Sequence, residues 1–174
     1  LFTKAYATGE GGKLEDISVD FTRDYLESKG VELILIKEPY KIMDDVIVSG
    51  EIPRRWGPSH TGAVTDEVPD DMALYIKHPN GLIAVTGCGH SGVENIVEYG
   101  FQLTGLNRLY AIIGGLHFMG LGEDRIRQVT NYLVAKSPSV VVGTHCTGIL
   151  GIAALYNAMP KAFRLGGVGS VIEL

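Results

Sequence analysis

The chain is poor in the residues that would indicate a disulfide scaffold, a membrane span or a secretory leader. Only two cysteines, Cys88 and Cys146, occur in 174 residues, whereas a small secreted fold held by disulfides normally contains more. No apolar run reaches the roughly 18 residues of a membrane span, and the first residues lack a charged start followed by a long apolar stretch. We therefore expect a soluble, cytoplasmic protein that does not bind membranes.

Basic surface is scarce as well. The net charge is −5, and isolated pairs such as Arg54–Arg55 do not make the basic stripe that nucleic-acid binding requires. Neither GxGxxG nor GxxxxGK[ST] is present, which disfavours a dinucleotide or P-loop site. A 45% hydrophobic composition over this length predicts one core, so we expect a single unit spanning residues 1–174.

What the chain does contain is a repeated histidine turn. Three apolar stretches each run into a small-residue turn that delivers one histidine: LIAVTGCGHSG, LYAIIGGLHFMG and VVVGTHCTG. The histidines are His90, His117 and His145, about 27 or 28 residues apart, roughly the length of one strand and a returning helix. Consecutive parallel strands joined by right-handed crossovers end at the same edge of a sheet, so these side chains are expected to converge.

Converging imidazoles indicate a metal site. One strand-end histidine is more often a hydrogen-bonded structural residue, but recurrence in three units favours ligands of a divalent ion. Zinc fits best, while manganese, iron and magnesium stay open. Cys88 and Cys146 lie in the same turns, and three roles remain for them: small buried residues, a redox pair, or soft zinc ligands beside the histidines.

The rest of the chain predicts an α/β fold. A mixed sheet is expected, antiparallel at the front and parallel behind, with helices on its outer face. The predicted elements are a helix over 18–29, strands within 31–42 and 44–52, a long loop over 53–71, a hairpin over 72–85, helices near 91–103, 123–136 and 147–159, and a last strand over 169–174.

Ser91 and Thr147 begin the helices that follow two of the histidine turns. Ser91 and Glu94 have the S-x-x-E spacing of a capping box, which would satisfy the free amides of the helix start. The same amides, next to His90 and His145, are also suited to an anionic substrate group such as a phosphate. The sequence leaves both roles open.

Together with GEIPR at residues 50–54, the segments TGCGHSGVENIV, IIGGLHF and GTHCTG resemble the metallo-β-lactamase superfamily. They are most similar to its branch of 7,8-dihydropterin-6-methyl-4-(β-D-ribofuranosyl)aminobenzene 5′-phosphate synthase-like proteins. The resemblance runs along nearly the whole chain. It implies the carboxyl-terminal half of an αββα sandwich.

One departure from the family pattern bears on the metal site. The HxHxDH motif that supplies most ligands in the superfamily is not in this chain, so the resemblance implies that the amino-terminal half is absent from this chain, removed, or supplied by another polypeptide. His145 matches the last histidine ligand, and His90 matches the third histidine or the bridging aspartate. His117 matches either a ligand or a catalytic, substrate-facing acid or donor.

The resemblance implies a metal-dependent hydrolase or transferase acting on a phosphorylated small molecule, such as the aminobenzene ribosyl phosphate of the named branch. Arg54 and Arg55 are suited to contact phosphate, although solvent-exposed charge is an equal alternative. The missing half, a second chain or a further copy in a homo-oligomer is expected to cover the exposed sheet. The competing hypothesis is a catalytically incomplete binding or structural module, and we expect the chain alone to be inactive.

Overall fold

The computed structural model describes residues 6–8, 13–16, 22–60 and 68–174. Within them a two-stranded ribbon, β1–β2, lies apart from a seven-stranded sheet with the order β3-β4-β5-β6-β7-β8-β9. The elements are β1 (Tyr6–Thr8), β2 (Leu14–Asp16), α1 (Arg23–Ser28), β3 (Tyr40–Met43), β4 (Val46–Val48), β5 (Ala73–His78), β6 (Gly81–Thr86), α2 (Val93–Thr104), β7 (Leu109–Gly115), α3 (Glu123–Lys136), β8 (Val140–Thr144), α4 (Gly148–Ala158) and β9 (Phe163–Leu165).

The front of the large sheet is antiparallel. Strands β3 to β6 pair in this way in chain order, and β5 and β6 form a hairpin whose register runs from Ala73 opposite Thr86 to His78 opposite Gly81. Asn and Gly at the turn favour this reversal because they tolerate the backbone angles of tight turns. The predicted hairpin is confirmed, and His78 stacks on Tyr110 at the turn end.

The rear of the sheet is parallel, from β6 through β7 and β8 to β9. Helices α2, α3 and α4 follow β6, β7 and β8 in turn, close to the ranges that hydrophobic periodicity predicts. The expected mixed α/β sheet is therefore confirmed. The carboxyl ends of β6, β7 and β8 lie side by side, as parallel strands with helical crossovers require.

One hydrophobic core joins the helices to the sheet. It includes Leu82 and Ala84 of β6, Ile96 of α2, Leu133 of α3 and Leu155 of α4. Alternate residues of a strand point to one face, so Leu82 and Ala84 turn together toward the helices. The Tyr75 hydroxyl donates to the Ile96 carbonyl at 2.7 Å, which ties the antiparallel half of the sheet to α2.

One strand prediction is met in part and one is wrong. The strands expected within 31–42 and 44–52 are present as the antiparallel pair β3 and β4, but β3 begins only at Tyr40. Residues 31–36 are not in a strand, and Ile34 and Leu35 are more than half exposed. Residues 169–174 are not a strand, and the strand that pairs with β8 is β9 at Phe163–Leu165. A β-prone segment forms a strand only where it pairs with a partner, so propensity alone misplaces the start of the first and the whole of the second.

Other predictions fall partly outside the described residues. The helix expected over 18–29 is present as α1, but positions 18–21 are not described. The loop expected over 53–71 has no helix or strand at 53–60 or 68–71, and its positions 61–67 are not described. Among the described helices, none is long and apolar enough to span a bilayer.

Candidate metal centre

The three histidines follow three adjacent strand ends. β6 ends at Thr86, β7 at Gly115 and β8 at Thr144, and each histidine lies within a few residues of its strand. Their turns meet at one edge of the sheet, where the His90 and His117 rings approach to 4.0 Å between centroids. The strand order therefore brings His90 and His117 together as the repeat predicts.

Two of the three turns carry unusual backbone geometry. His117 and His145 both have φ of 46°, in the left-handed region that costs a residue with a Cβ about 1 kcal/mol or more. Such strain persists only where the surrounding structure fixes it, and it is concentrated at functional sites. The two residues are thus held in orientations that ordinary turns do not give.

His90 is oriented by the chain segment that carries His60. The His60 amide donates to the His90 carbonyl at 2.7 Å, and the His90 Nδ1 lies 3.0 Å from the His60 carbonyl oxygen. A carbonyl can only accept, so Nδ1 carries the proton and Nε2 keeps its lone pair. Metal-binding histidines are commonly fixed in this way through the nitrogen that does not bind the ion.

His60 is itself held by a buried ion pair. Arg125 donates from Nε and Nη2 to the His60 Nε2 at 3.2 and 3.0 Å, and its guanidinium binds both Glu94 carboxylate oxygens at 2.8 Å. Burial first, and then the Arg125 charge, lower the pKa of His60 to about 4. The imidazole is therefore neutral at physiological pH and able to accept from Arg125.

The groups around His117 shift its pKa in opposite directions. Burial lowers the pKa of His117, the nearby His90 and His145 lower it further, and Asp71 acts in the opposite direction. Among the described residues, its buried Nδ1 has no hydrogen-bond partner. A buried polar atom without a partner is costly, and a neutral imidazole in this state is suited to receive a ligand.

Asp71 places a carboxylate near this edge. It is buried, and its Oδ2 accepts from the Ser91 amide at 2.8 Å. It comes from the end of the long loop, immediately before β5. The site therefore combines imidazoles from the strand ends with a carboxylate from a separate part of the chain.

His145 faces the two thiols. Its Nδ1 lies 3.4 Å from the Cys88 Sγ, and the Cys146 Sγ donates to the Cys88 carbonyl at 3.1 Å. In the part of the chain that the structure describes, Cys88, His145 and Cys146 are the one group of three metal-ligand residues whose donor atoms all lie within 4.8 Å of one another. Burial, and then the neighbouring Cys88 thiol, raise the pKa of Cys146 to about 12.

Two curated proteins are similar in sequence to the chain. No protein-family model matches it. It is 34% identical over 160 residues to an uncharacterized protein of Methanocaldococcus jannaschii, a match that covers 87% of the chain and 58% of that protein. It is 26% identical over 186 positions to the 7,8-dihydropterin-6-methyl-4-(β-D-ribofuranosyl)-aminobenzene-5′-phosphate synthase of the same organism, covering 99% of the chain and 63% of that protein.

A solved structure described as a metal-dependent hydrolase of the beta-lactamase superfamily superposes with a TM-score of 0.81 and 20% identity, over 98% of this chain and 67% of that one. The chain has the metallo-β-lactamase fold. The expected resemblance to the synthase-like proteins is confirmed by the 26% identity to the named synthase. The chain spans less than two thirds of the length of the two curated relatives.

Two of the histidines present nitrogens that suit a divalent ion. His90 offers Nε2, and the buried His117 imidazole has a nitrogen with no hydrogen bond within the described residues. Imidazole nitrogens and carboxylate oxygens are the donors that zinc accepts. The donor set is therefore suited to a metal, while the identity of the ion and the roles of the individual histidines stay predictions.

The expected substrate-binding residues lie in different surroundings. Ser91 and Thr147 are fully buried, and the Thr147 Oγ1 accepts from the Leu116 amide at 3.2 Å. Arg54 donates to the carbonyls of Ile52 and Val68, at 2.5 and 2.8 Å. These contacts join loops to one another, and a substrate-binding role for Ser91, Thr147 and Arg54 stays a prediction.

Arg55 is separate from its neighbour in the sequence. It is exposed and lines a cavity of about 320 Å³ together with residues such as Lys37, Tyr99 and Gln102. The three histidines are not among the residues that line this cavity. The structure thus places Arg55 at this cavity, and its phosphate contact stays a prediction.

The predicted capping box is wrong. Helix α2 begins at Val93 with Gly92 as its N-cap and has no side-chain cap, and the Ser91 Oγ has no partner among the described residues. The Glu94 carboxylate binds Arg125 instead. A bidentate guanidinium pair holds this carboxylate more strongly than a single backbone amide would.

The sequence does not predict the network of residues that supports the proposed ligands. Its members are His60, Asp71, Glu94 and Arg125. His60 and Asp71 come from the loop over 53–71, which had been identified only as long and irregular. Glu94 and Arg125 are 31 residues apart, with no local pattern that links them. An acidic residue and an arginine on consecutive crossover helices would have been the one available signal.

Proposed function

We propose that the protein is a metal-dependent hydrolase or transferase whose metal is held in part by His90, His117 and His145. The observation that carries this proposal is the convergence of His90 and His117, with ring centroids 4.0 Å apart at the ends of neighbouring strands. Similarity to a metal-dependent hydrolase and to a named synthase supports it. A divalent ion supplies a Lewis acid that polarises a phosphoryl oxygen and activates water.

The chain's own residues have defined parts in this proposal. His60 fixes the His90 tautomer so that Nε2 faces the centre, and Arg125 holds His60 in place. His117, neutral because burial lowers its pKa, acts as a ligand or as the group that exchanges a proton with the substrate. Asp71 offsets the positive charge that would develop on His117.

For the substrate, we propose a phosphorylated small molecule, and more specifically the joining of a dihydropterin to a ribofuranosylaminobenzene phosphate that the relative's name describes. Arg54 and Arg55 are the proposed phosphate contacts, and the amides after His90 and His145 are a further one. An additional segment or a second copy of the chain would supply the remaining ligands, and a homo-oligomer in the cytoplasm is the proposed form.

One observation favours a second candidate. Within the described residues, the three histidines do not meet as a compact group, because only Cys88, His145 and Cys146 have all donor atoms within 4.8 Å. A catalytically incomplete binding module that has kept the sheet is therefore the alternative. The two candidates differ in whether the histidines bind metal and whether the metal-loaded protein turns over a phosphate ester.

The test measures both properties on the same samples. The protein, together with the segment or second copy proposed to complete the site, is dialysed against Zn²⁺ or Mn²⁺, bound metal is measured by inductively coupled plasma mass spectrometry, and hydrolysis of bis(p-nitrophenyl) phosphate is followed. His90→Ala and His117→Ala should each lose one bound ion per chain and the activity, whereas His78→Ala at the hairpin turn should keep both. Metal binding without turnover supports the incomplete module, and equal metal content in all variants contradicts both histidine ligands.

A further inference from the structure

We propose that Cys88, Cys146 and His145 form a binding site of their own for a soft divalent ion such as zinc or cadmium. The observation that carries the proposal is that one donor atom from each of these three residues lies within 4.8 Å of the other two. They come from the turns after β6 and β8, which are not adjacent strands. Neither thiol is used by the histidine centre described above.

Gly115 makes this meeting of the thiols possible. It ends β7, the strand between β6 and β8, and a Cβ there would lie 2.9 Å from the Cys146 Sγ and 3.0 Å from the Cys88 Cα. Any other residue would therefore occupy the space in which the two cysteines approach each other. The Cys146 thiol reaches across this gap and donates to the Cys88 carbonyl at 3.1 Å.

The donor set has the chemistry of a thiolate-rich metal site. Two cysteines and one histidine match the three-ligand arrangement in which zinc keeps a fourth, open position. In a tetrahedral zinc site, neighbouring ligand atoms lie roughly 3.5–3.8 Å apart, and the Cys88 Sγ and His145 Nδ1 are 3.4 Å apart. Only small movements would therefore close the three donors around an ion.

Access and selectivity follow from the surroundings. His145 is exposed, Cys88 is half-buried and Cys146 is buried, so an ion can enter from the His145 side. Soft thiolate ligands select zinc, cadmium or copper(I) over magnesium, calcium and manganese. Each thiol that binds the ion releases one proton to solvent, and no oxidant or reductant is needed.

This site stands apart from the proposed catalytic function, although both involve His145. The Nδ1 atom of that imidazole faces the Cys88 thiol, which leaves Nε2 for the histidine centre. A neutral imidazole has one lone pair, so filling both sites at once would also release the remaining ring N–H proton to solvent. The thiol site needs neither His90 nor His117. Its failure would leave the proposed hydrolase or transferase intact, and failure of the histidine centre would leave the thiol site intact.

Cobalt(II) alone is the probe, added to the reduced protein. Because Cys88 and Cys146 are the only two cysteines of the chain, any thiolate-to-cobalt charge-transfer absorption must come from them. We expect this absorption to saturate at one ion per chain. Cys88→Ser and Cys146→Ser should each abolish it and weaken cobalt binding by more than about 100-fold, since ligand loss costs more than loss of an outer-shell contact.

Two controls keep the result interpretable. His90→Ala should retain the charge-transfer band, and His78→Ala should behave as the parent protein. Circular dichroism establishes folding of the variants, and because Cys146 is buried, the half-buried Cys88 gives the safer variant. As a measurement that needs no substitution, one equivalent of Cd²⁺ should protect both thiols from iodoacetamide, as read by intact mass.

Three results would overturn the proposal. The first is cobalt binding without a thiolate band, which would place the ion on imidazole or carboxylate alone. The second is a band that survives in Cys88→Ser. The third is alkylation of both thiols of the reduced protein at the same rate with and without Cd²⁺, which would mean that the thiols bind no metal.

Discussion

The two halves of the large sheet differ in how deeply their residues are buried. Five of the six residues of β6 are buried, whereas all four residues of β3 at the antiparallel edge are exposed. Strands β6, β7 and β8 each lie between two paired strands, while β3 is an edge strand with one free side. The histidine turns all follow strands of the interior of the sheet, so ligand geometry depends on its most deeply buried part.

The first prediction concerns a substitution that disrupts packing in the parallel half of the sheet. Gly115→Ala should lower the free energy of unfolding by about 4 kcal/mol, because its Cβ would lie 2.4 Å from the Gly87 carbonyl oxygen, which accepts the Gly115 amide hydrogen bond. Gly87→Ala is the control, since its Cβ would meet no atom within 4 Å. Urea unfolding of both variants is the measurement, and equal losses would contradict this account.

The second prediction concerns the network behind His90. Arg125→Met should cost about 3 kcal/mol, because it leaves Glu94 as a buried charge without its partner and removes the donor to His60. Arg127→Met on the same helix is the matched control, since its pair with Asp124 is exposed and worth little. Thermal unfolding distinguishes them, and a similar melting temperature for the two variants would count against the network.

The third prediction is a pH dependence of stability. His60 has a pKa of about 4 in the folded chain and about 6.5 when unfolded, so the unfolded state binds more protons between these values. Stability should therefore fall as pH drops below about 6.5, with about 2 kcal/mol lost by pH 5 and the loss complete below about pH 4. Urea unfolding at pH 7 and pH 5 measures the slope.

The comparison for that slope is His60→Gln, which cannot take up the proton. The free energy of unfolding of this variant should depend less on pH over the same interval. Other titrating groups contribute equally to both proteins, so the difference between the two slopes isolates His60. An unchanged slope in the variant would show that His60 is not the group responsible. The effect is smaller than that of Arg125→Met, because protonation keeps the side chain in place.

The prediction with the smallest expected effect compares burial in the parallel and antiparallel halves of the sheet. Ile112→Val in β7 should cost about 1 kcal/mol, since Ile112 is fully buried, whereas the same change at Ile42 in β3 should cost less than about 0.3 kcal/mol, since Ile42 is 51% exposed. Identical chemistry at two sites isolates burial as the cause. Equal losses in urea unfolding would mean that β3 is covered in solution.

The parallel half was also the part that the sequence predicted best. Periodicity places α2, α3 and α4 nearly correctly, and the strand-end histidines follow from one repeat. At the edges of the sheet, prediction failed over residues 31–36 and 169–174, because strand formation there depends on which partner edge is available. The β9 strand at 163–165 has only three residues, too few for the alternation of Phe163, Arg164 and Leu165 to mark it as a strand.

The histidine edge was predictable because each turn carries the same local signal. The supporting contacts were not, because they join distant parts of the chain: His60 reaches His90 across 30 residues and Arg125 across 65. The sequence places Cys88 and Cys146 in the turns, but the approach of the two residues depends on the absence of a Cβ at Gly115. Such contacts follow from the three-dimensional packing and leave no periodic pattern.

Crystals soaked in Zn²⁺, with anomalous diffraction recorded at the zinc absorption edge, test the central claim most directly. The account predicts an anomalous peak roughly 2.0–2.2 Å from nitrogens of His90 and His117, and a second peak beside Cys88 and Cys146 if the thiol site also fills. Peaks confined to surface carboxylates or to His78, with the His90 and His117 rings free of zinc, would contradict it.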